Sequence, residues 1–180
     1  MKKFLLVSTM AAALGLSAVA APFVVDTAQS KVGFSIKHLK LTQVDGVFEK
    51  YDATIDYDTA NKSLSVFEGS VSIDSVNTQN TKRDEHLRAN DIFDAKKYPQ
   101  MSFKMTSYAP GKITGDLTIK GVTKSIILDS KEALDGGILS IDAMAPIKRS
   151  DFGVVWEKSL QDSLVSDELT IHLHLKASAK

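Results

Sequence analysis

An all-β fold, an antiparallel up-and-down barrel of about eight strands with a short helical insertion, is what this sequence predicts, on three observations. Apolar residues recur with period two from Ala21 onward rather than with the 3.6 of a helix. The alternating segments are separated by short runs of turn-forming residues, so consecutive strands are antiparallel neighbours. One stretch, Thr81 to Ala95, breaks the alternation and carries helix-start signals.

Composition narrows the class further. The 180 residues include 22 basic and 22 acidic side chains, 43% apolar residues, 10 Gly, 4 Pro and no Cys. Such a balance lacks the excess of positive charge of a nucleic-acid binder and is too apolar for a disordered chain. Without cysteine there is no disulfide framework, no thiolate nucleophile and no Cys-ligated metal. One unstapled domain is expected, because about 160 folding residues bury roughly 70% of their unfolded surface by packing alone.

In chain order, the first element is an address. Lys2 and Lys3 precede an apolar run from Phe4 to Leu16, and Ala18-Val19-Ala20 offers the small residues of a cleavage site. Residues 1–20 read as a secretory signal peptide cut after Ala20, leaving 21–180 as the domain; a cut one residue later would place Pro22 directly after the scissile bond. The run falls short of the roughly 20 residues that span a bilayer, so no stable membrane anchor is expected. Losing the two lysines leaves two more acids than bases in a chain expected in the periplasm.

Strands follow. A short one covers Phe23 to Val25; then Val32, Phe34 and Ile36 alternate with Gly33, Ser35 and Lys37. Further strands run about Val47 to Tyr57, Ser63 to Val76, Met101 to Tyr108, Ile113 to Lys120, Lys124 to Lys131 and Ile138 to Ile147. In the last, Leu169, Ile171, Leu173 and Leu175 alternate with Thr170, His172, His174 and Lys176. Thr59-Ala60-Asn61, Ala109-Pro110-Gly111, Lys120-Gly121 and Asp135-Gly136-Gly137 are the turns, with Gly121 expected at positive φ. Thr81-Lys82-Arg83-Asp84 resembles a capping box that starts one or two short helices ending before Pro99. Arg149 to Val165, with Phe152, Trp156 and Leu160, is a second irregular stretch and a candidate lid. A sandwich and a barrel both satisfy eight amphipathic strands, and the sequential hairpins favour the barrel, which can hold one small ligand.

Catalytic signatures do not emerge. No nucleophile elbow, phosphate loop, dinucleotide fingerprint or zinc-protease helix is present, and no catalytic residue, metal set or cofactor is predicted. His172 and His174 share a strand face and read as exposed strand residues rather than metal ligands, for want of a third ligand at suitable spacing. His86 and Asp84 are two apart on a helix and do not face each other as a base and its orienter would. What stands out is the apolar inner face, which includes Phe34, Ile36, Phe48, Ile73, Met101, Phe103, Leu117 and Ile171.

The chain resembles the YceI-like family over about Phe23 to Lys176. The matching stretches are Asp26-x-x-x-Ser30-x-Val32-x-Phe34, Gly46-x-Phe48, Ser72-Ile73-Asp74-Ser75, and Arg83-Asp84-x-His86-Leu87 followed by Phe93-Asp94, Tyr98-Pro99 and Phe103. Gly115 through Lys124 and Arg149-x-Asp151-Phe152-Gly153 complete the order. Phe23 stands where the family often begins a strand with Trp, and Thr42 to Asp45 is polar around Val44.

The resemblance implies an elongated lipocalin-like barrel that binds a polyisoprenoid, such as a prenylated quinone or polyprenyl phosphate, or a similar long-chain amphiphile. It implies no catalysis, and it alone suggests a homodimer. The ligand-binding residues expected are Phe34, Ile36, Phe48, Ile73, Leu87, Phe93, Met101, Phe103, Leu117, Phe152, Trp156 and Ile171. Arg83, Asp84, His86, Arg149 and Asp151 form a polar rim with two readings, a seat for a ligand headgroup or Arg–Asp pairs that fix the loops. An enzyme acting on an isoprenoid lipid and an interaction protein with a filled barrel are the alternatives.

Overall fold

A computed structural model of the chain describes residues 20–38, 42–155 and 165–180. The leader expected over residues 1–20 lies outside them except for Ala20, as do Trp156 and Leu160 of the candidate lid. The strands are β1 (Ala21–Val25), β2 (Lys31–His38), β3 (Thr42–Phe48), β4 (Tyr51–Asp58), β5 (Ser63–Ser72) and β6 (Val76–Asn77). A helix, α1 (Thr81–Arg88), precedes β7 (Gln100–Ala109), β8 (Lys112–Ile119), β9 (Val122–Asp135), β10 (Ile138–Lys148) and β11 (Val165–Ala179).

Eight strands close a ring in the order β1-β4-β5-β7-β8-β9-β10-β11, sealed by the pairing of β1 with β11. The lipocalin-like barrel, with one short α-helix among the described residues, is therefore the fold. β2, β3 and β6 pair in the same order from the N-terminal half of β11, so β1 with β2, β3 with β4 and β5 with β6 are three long strands, each broken once. The strand expected over Val47 to Tyr57 is thus two strands, bent at Glu49-Lys50, and that over Ser63 to Val76 breaks at the 3₁₀ turn Ile73–Ser75.

Specific hydrogen bonds hold these bends. In the first, the Asp26 carboxylate accepts from the Ala28 amide at 3.0 Å and from Gln29 Nε2 at 2.6 Å, an Asx-type turn. Ser30 Oγ accepts the Lys176 amide at 2.9 Å and so fastens that turn to β11. At the other two, Ser75 Oγ accepts the Lys50 amide at 3.0 Å and donates to the Ser72 carbonyl at 2.7 Å. Backbone groups that these bends would otherwise leave unpaired are satisfied by side chains, locally at Asp26 and across 25 and 146 positions at Ser75 and Ser30.

Turn chemistry at the hairpins is as the sequence predicts. Lys120 and Gly121 have φ of 53° and 77°, the paired positive values that match the twist of flanking strands. Pairing between β9 and β10 stops at Asp129 opposite Met144, although β9 reaches back to Val122 and β10 runs on to Lys148. The 3₁₀ turn Arg149–Phe152 packs against both strands beyond that point, with Phe152 only 1% exposed.

The helical insertion begins one residue earlier than the expected capping box. Asn80 is the N-cap, its side chain accepting the Arg83 amide at 3.1 Å. Asp84, the acid expected to complete a box from Thr81, instead turns inward. One helix ends at Arg88, and hydrogen-bonded turns carry the chain on to Tyr98.

Inward side chains form two apolar clusters. One, around Ile55, Phe67, Ile113, Leu139 and Ile141, fills the end of the barrel built from β1, β4 and the N-terminal part of β10. The other, around Phe48, Ile73, Ile92, Met101, Leu117 and Phe152, packs beneath the helix and the Arg149–Phe152 turn.

Candidate functional site

A cavity of about 780 Å³ lies between these clusters, its walls predominantly apolar. Alternation places its lining: on each strand every second side chain points inward, so β2 contributes Phe34 and Ile36, β3 Phe48, β7 Met101 and Phe103, β8 Leu117, and β11 Ile171. Leu87 of α1, Phe93 of the following turns and Phe152 complete the sequence-predicted lining.

Ile73 is not on the wall. It sits on the turn that breaks the third long strand and is packed into the second cluster at 1% exposure, because the bend rotates it out of the strand's alternation. Trp156 lies outside the described residues. Phe67, Ile126, Ile147, Val154 and Leu175 line the cavity without having been singled out. Ile147 and Ile126 were legible two-residue steps from Ile141 and Leu128, whereas Val154 follows a 3₁₀ turn and has no periodic signal.

Two glycines shape the wall. A Cβ on Gly46 would stand 2.5 Å from Phe34 Cζ, and one on Gly115 would stand 2.4 Å from Phe103 Cζ. Each ring therefore occupies the space over a neighbouring glycine instead of standing free in the lumen. The rings also meet one another, Phe34 with Phe48 at 6.0 Å between centroids and Phe67 with Phe103 at 6.1 Å, within the range of favourable aromatic pairs.

The polar rim divides. Arg83, His86 and Arg149 line the cavity, together with Lys82. Asp84 does not: it is 6% exposed, and its Oδ1 accepts from the Thr78 amide at 3.0 Å and from Thr78 Oγ1. Arg83 turns to the same threonine, donating from Nε to Thr78 Oγ1 at 2.7 Å and from Nη2 to the Thr78 carbonyl at 2.8 Å. Thr78 thus stands between Arg83 and Asp84, where a direct pair was one of the two readings.

Arg149, 7% exposed, donates to the carbonyls of Val154 at 2.9 Å, Ser166 at 3.1 Å and Val165 at 3.3 Å, tying the 3₁₀ turn to β11. Asp151 is exposed and off the wall. His86 Nε2 lies 2.9 Å from Asp91 Oδ2, and that hydrogen bond, outweighing partial burial, holds the Asp91 carboxyl below the usual carboxylate range. His172 and His174 point away from the lumen, His172 to Ser35 Oγ at 3.0 Å and His174 to Asp142 Oδ1 at 2.5 Å.

Such a chamber suits hydrocarbon. Each methylene transferred into it is worth about 0.8 kcal/mol, so about ten would match the ~8 kcal/mol of micromolar binding before ordering costs. At roughly 30 Å³ per water-sized group, its volume accommodates on the order of 25 carbon atoms.

Comparison with known proteins follows the same lines. A sequence model described as the YceI-like domain matches residues 23–177. A UPF0312 protein of Staphylococcus aureus is 31% identical over 146 residues, 77% of this chain and 85% of its own length. The crystal structure of BcnA from Burkholderia cenocepacia is 31% identical and superimposes with a TM-score of 0.78, over 86% of this chain and 99% of that one. A polyisoprenoid binding domain from Saccharophagus degradans, 16% identical, shares the fold at a TM-score of 0.67 over 90% of this chain and all of its own.

Proposed function

This chain belongs to the YceI-like domain family, and from that premise we propose that it is an exported lipid-binding protein that carries or sequesters an isoprenoid or similar long-chain amphiphile in its barrel. The observation that carries the reading is the apolar cavity of about 780 Å³ inside a closed barrel. Hydrocarbon is the cargo that such walls reward, since burial of apolar area is the main favourable term and few polar groups are there to orient a smaller, more polar molecule. The fold shared with a domain described as polyisoprenoid binding supports the same class of ligand. The leader at residues 1–20 supports delivery to the periplasm.

Binding, rather than catalysis, is the activity proposed. The rim groups that a reaction would need are engaged in holding the chain: Asp84 and Arg83 at Thr78, and Arg149 on three carbonyls. A long polyprenyl chain exceeds what the cavity holds and would leave part of its length at the mouth.

Native mass spectrometry of the mature protein, purified from its own periplasm without detergent, tests the reading, with solvent extraction to identify what is released. A stoichiometric isoprenoid is expected. Substitutions Ile171→Asp and Phe103→Asp place a carboxylate on the apolar wall and should abolish uptake. Protein at its bare mass that takes up neither quinones nor polyprenyl phosphates would overturn the proposal.

A further inference from the structure

We propose that the cargo carries an anionic head group, a phosphate or carboxylate, which docks on Arg83 and Lys82 of α1; this rests on the lipid-binding reading above. Arg83 is half-buried and lines the cavity. Its Nε and Nη2 are anchored on Thr78, which fixes the plane of the guanidinium, while Nη1 has no partner among the described residues. An immobilised guanidinium with an unfilled donor edge is suited to an oxyanion, because the geometry is set before the ligand arrives. Lys82, one residue earlier and exposed, lines the same cavity and makes no ion pair or hydrogen bond among the described residues.

The acids near this end are held off the wall, each by its own hydrogen bonds. Asp84 is turned beneath the helix to Thr78, Asp91 takes His86, and Asp167 accepts from the amide and hydroxyl of Ser150 at 3.0 and 2.7 Å. Glu85 is exposed and does not line the cavity. Among the described residues the two acids that do, Asp52 and Glu68, belong to β4 and β5, and Glu68 faces Lys104 at 3.8 Å. The helix therefore offers the chamber cations while its carboxylates, Asp84 and Glu85, stay off the wall. A quinone carbonyl would only accept a hydrogen bond here, whereas an anion would add attraction to both positive charges in a place only partly screened by solvent.

Farnesol and farnesyl phosphate share one tail and differ in the head, so their affinities, measured by calorimetry on the mature protein, separate tail from head. Inorganic phosphate is titrated alongside. Farnesyl phosphate is expected to bind at least about tenfold more tightly than farnesol, an advantage of ~1.4 kcal/mol. Arg83→Gln should remove most of that ratio, and Arg83→Lys should restore part of it. Because Arg83→Gln also loosens Thr78, Lys82→Gln provides a second variant at an exposed position, expected to lower the ratio a few-fold at unaltered stability. Equal affinity for the two compounds, or a ratio indifferent to both variants, overturns the anionic head and leaves the lipid reading standing. Inorganic phosphate binding as tightly as farnesyl phosphate makes this a free-anion site and also overturns it. No binding of either farnesyl compound sinks the lipid reading itself.

Discussion

Adding a single methyl group at Gly46, which does not itself line the cavity, should narrow it by displacing Phe34, which does. The Cβ of Gly46→Ala would lie 2.5 Å from Phe34 Cζ, 2.6 Å from Phe34 Cε1 and 3.0 Å from Thr78 Cγ2. Carbon atoms rest at about 3.5 Å or more, so the ring must retreat by roughly 1 Å. Only side chains obstruct the new methyl at these distances, and the free direction for the ring is the lumen. Overpacking of this kind costs about 1–3 kcal/mol. Denaturant titration should show that loss with an unchanged slope, and lipid uptake followed by native mass spectrometry should fall in parallel. The double variant Phe34→Leu with Gly46→Ala removes the obstructing ring and should recover most of both, giving a favourable coupling energy in the mutant cycle. If Gly46→Ala retains full stability and uptake, or its effects simply add to those of Phe34→Leu, the glycine has no part in seating the ring and the reasoning fails.

Other outcomes follow from particular residues. Arg149→Met strips the donors from the Val154, Val165 and Ser166 carbonyls and, at about 1–3 kcal/mol for each buried acceptor left unpaired, should cost about 3 kcal/mol or more in urea unfolding; a loss under ~1 kcal/mol contradicts the fastening role. Ile73→Ala should lose about 2–5 kcal/mol yet leave uptake by the folded protein intact, since Ile73 is buried but off the cavity wall; a selective loss of uptake would place it in the site after all. Burial, with the nearby Glu132 carboxylate, pushes the Tyr108 phenol up from 10.0 to about 12. Because the folded value is raised, its stabilising contribution is full below the ordinary tyrosine range and is lost as pH climbs from there through about 12. An ultraviolet titration of tyrosinate should show this late ionisation move earlier in Glu132→Gln, and an unchanged curve would remove Glu132 from the explanation.

Much of the architecture is legible in the residues taken one at a time. Alternation on Leu169, Ile171, Leu173 and Leu175 states which face of the last strand is buried, and Lys120-Gly121 states where a hairpin turns. Those are local facts, fixed by the two-residue repeat of a strand and by the steric freedom of a glycine. Repeated along the chain, they amount to an eight-stranded up-and-down barrel with an apolar interior. The bends were less accessible, because what holds them is remote: Ser30 meets Lys176 across 146 positions, and Ser75 meets Lys50 across 25. Ile73 was misplaced on the wall for that reason, since periodicity continues through a break that only distant partners create.

The rim shows the same division. Arg83, Asp84, His86, Arg149 and Asp151 stood out as polar residues at the two irregular segments, yet nothing in their spacing distinguished those that face the lumen from those that do not. Thr78 settles it for Arg83 and Asp84, by accepting from one and donating to the other. The faces, the turns and the all-β class are readable in the residues alone, because strand period and turn sterics act within a few residues. Closure of the fold set the rest: that the barrel encloses an open chamber, that phenylalanine rings lie over Gly46 and Gly115, and that cations line the chamber. Each of these depends on side chains brought together across strands, and a cavity is a property of the volume that closure leaves unfilled rather than of any residue that borders it.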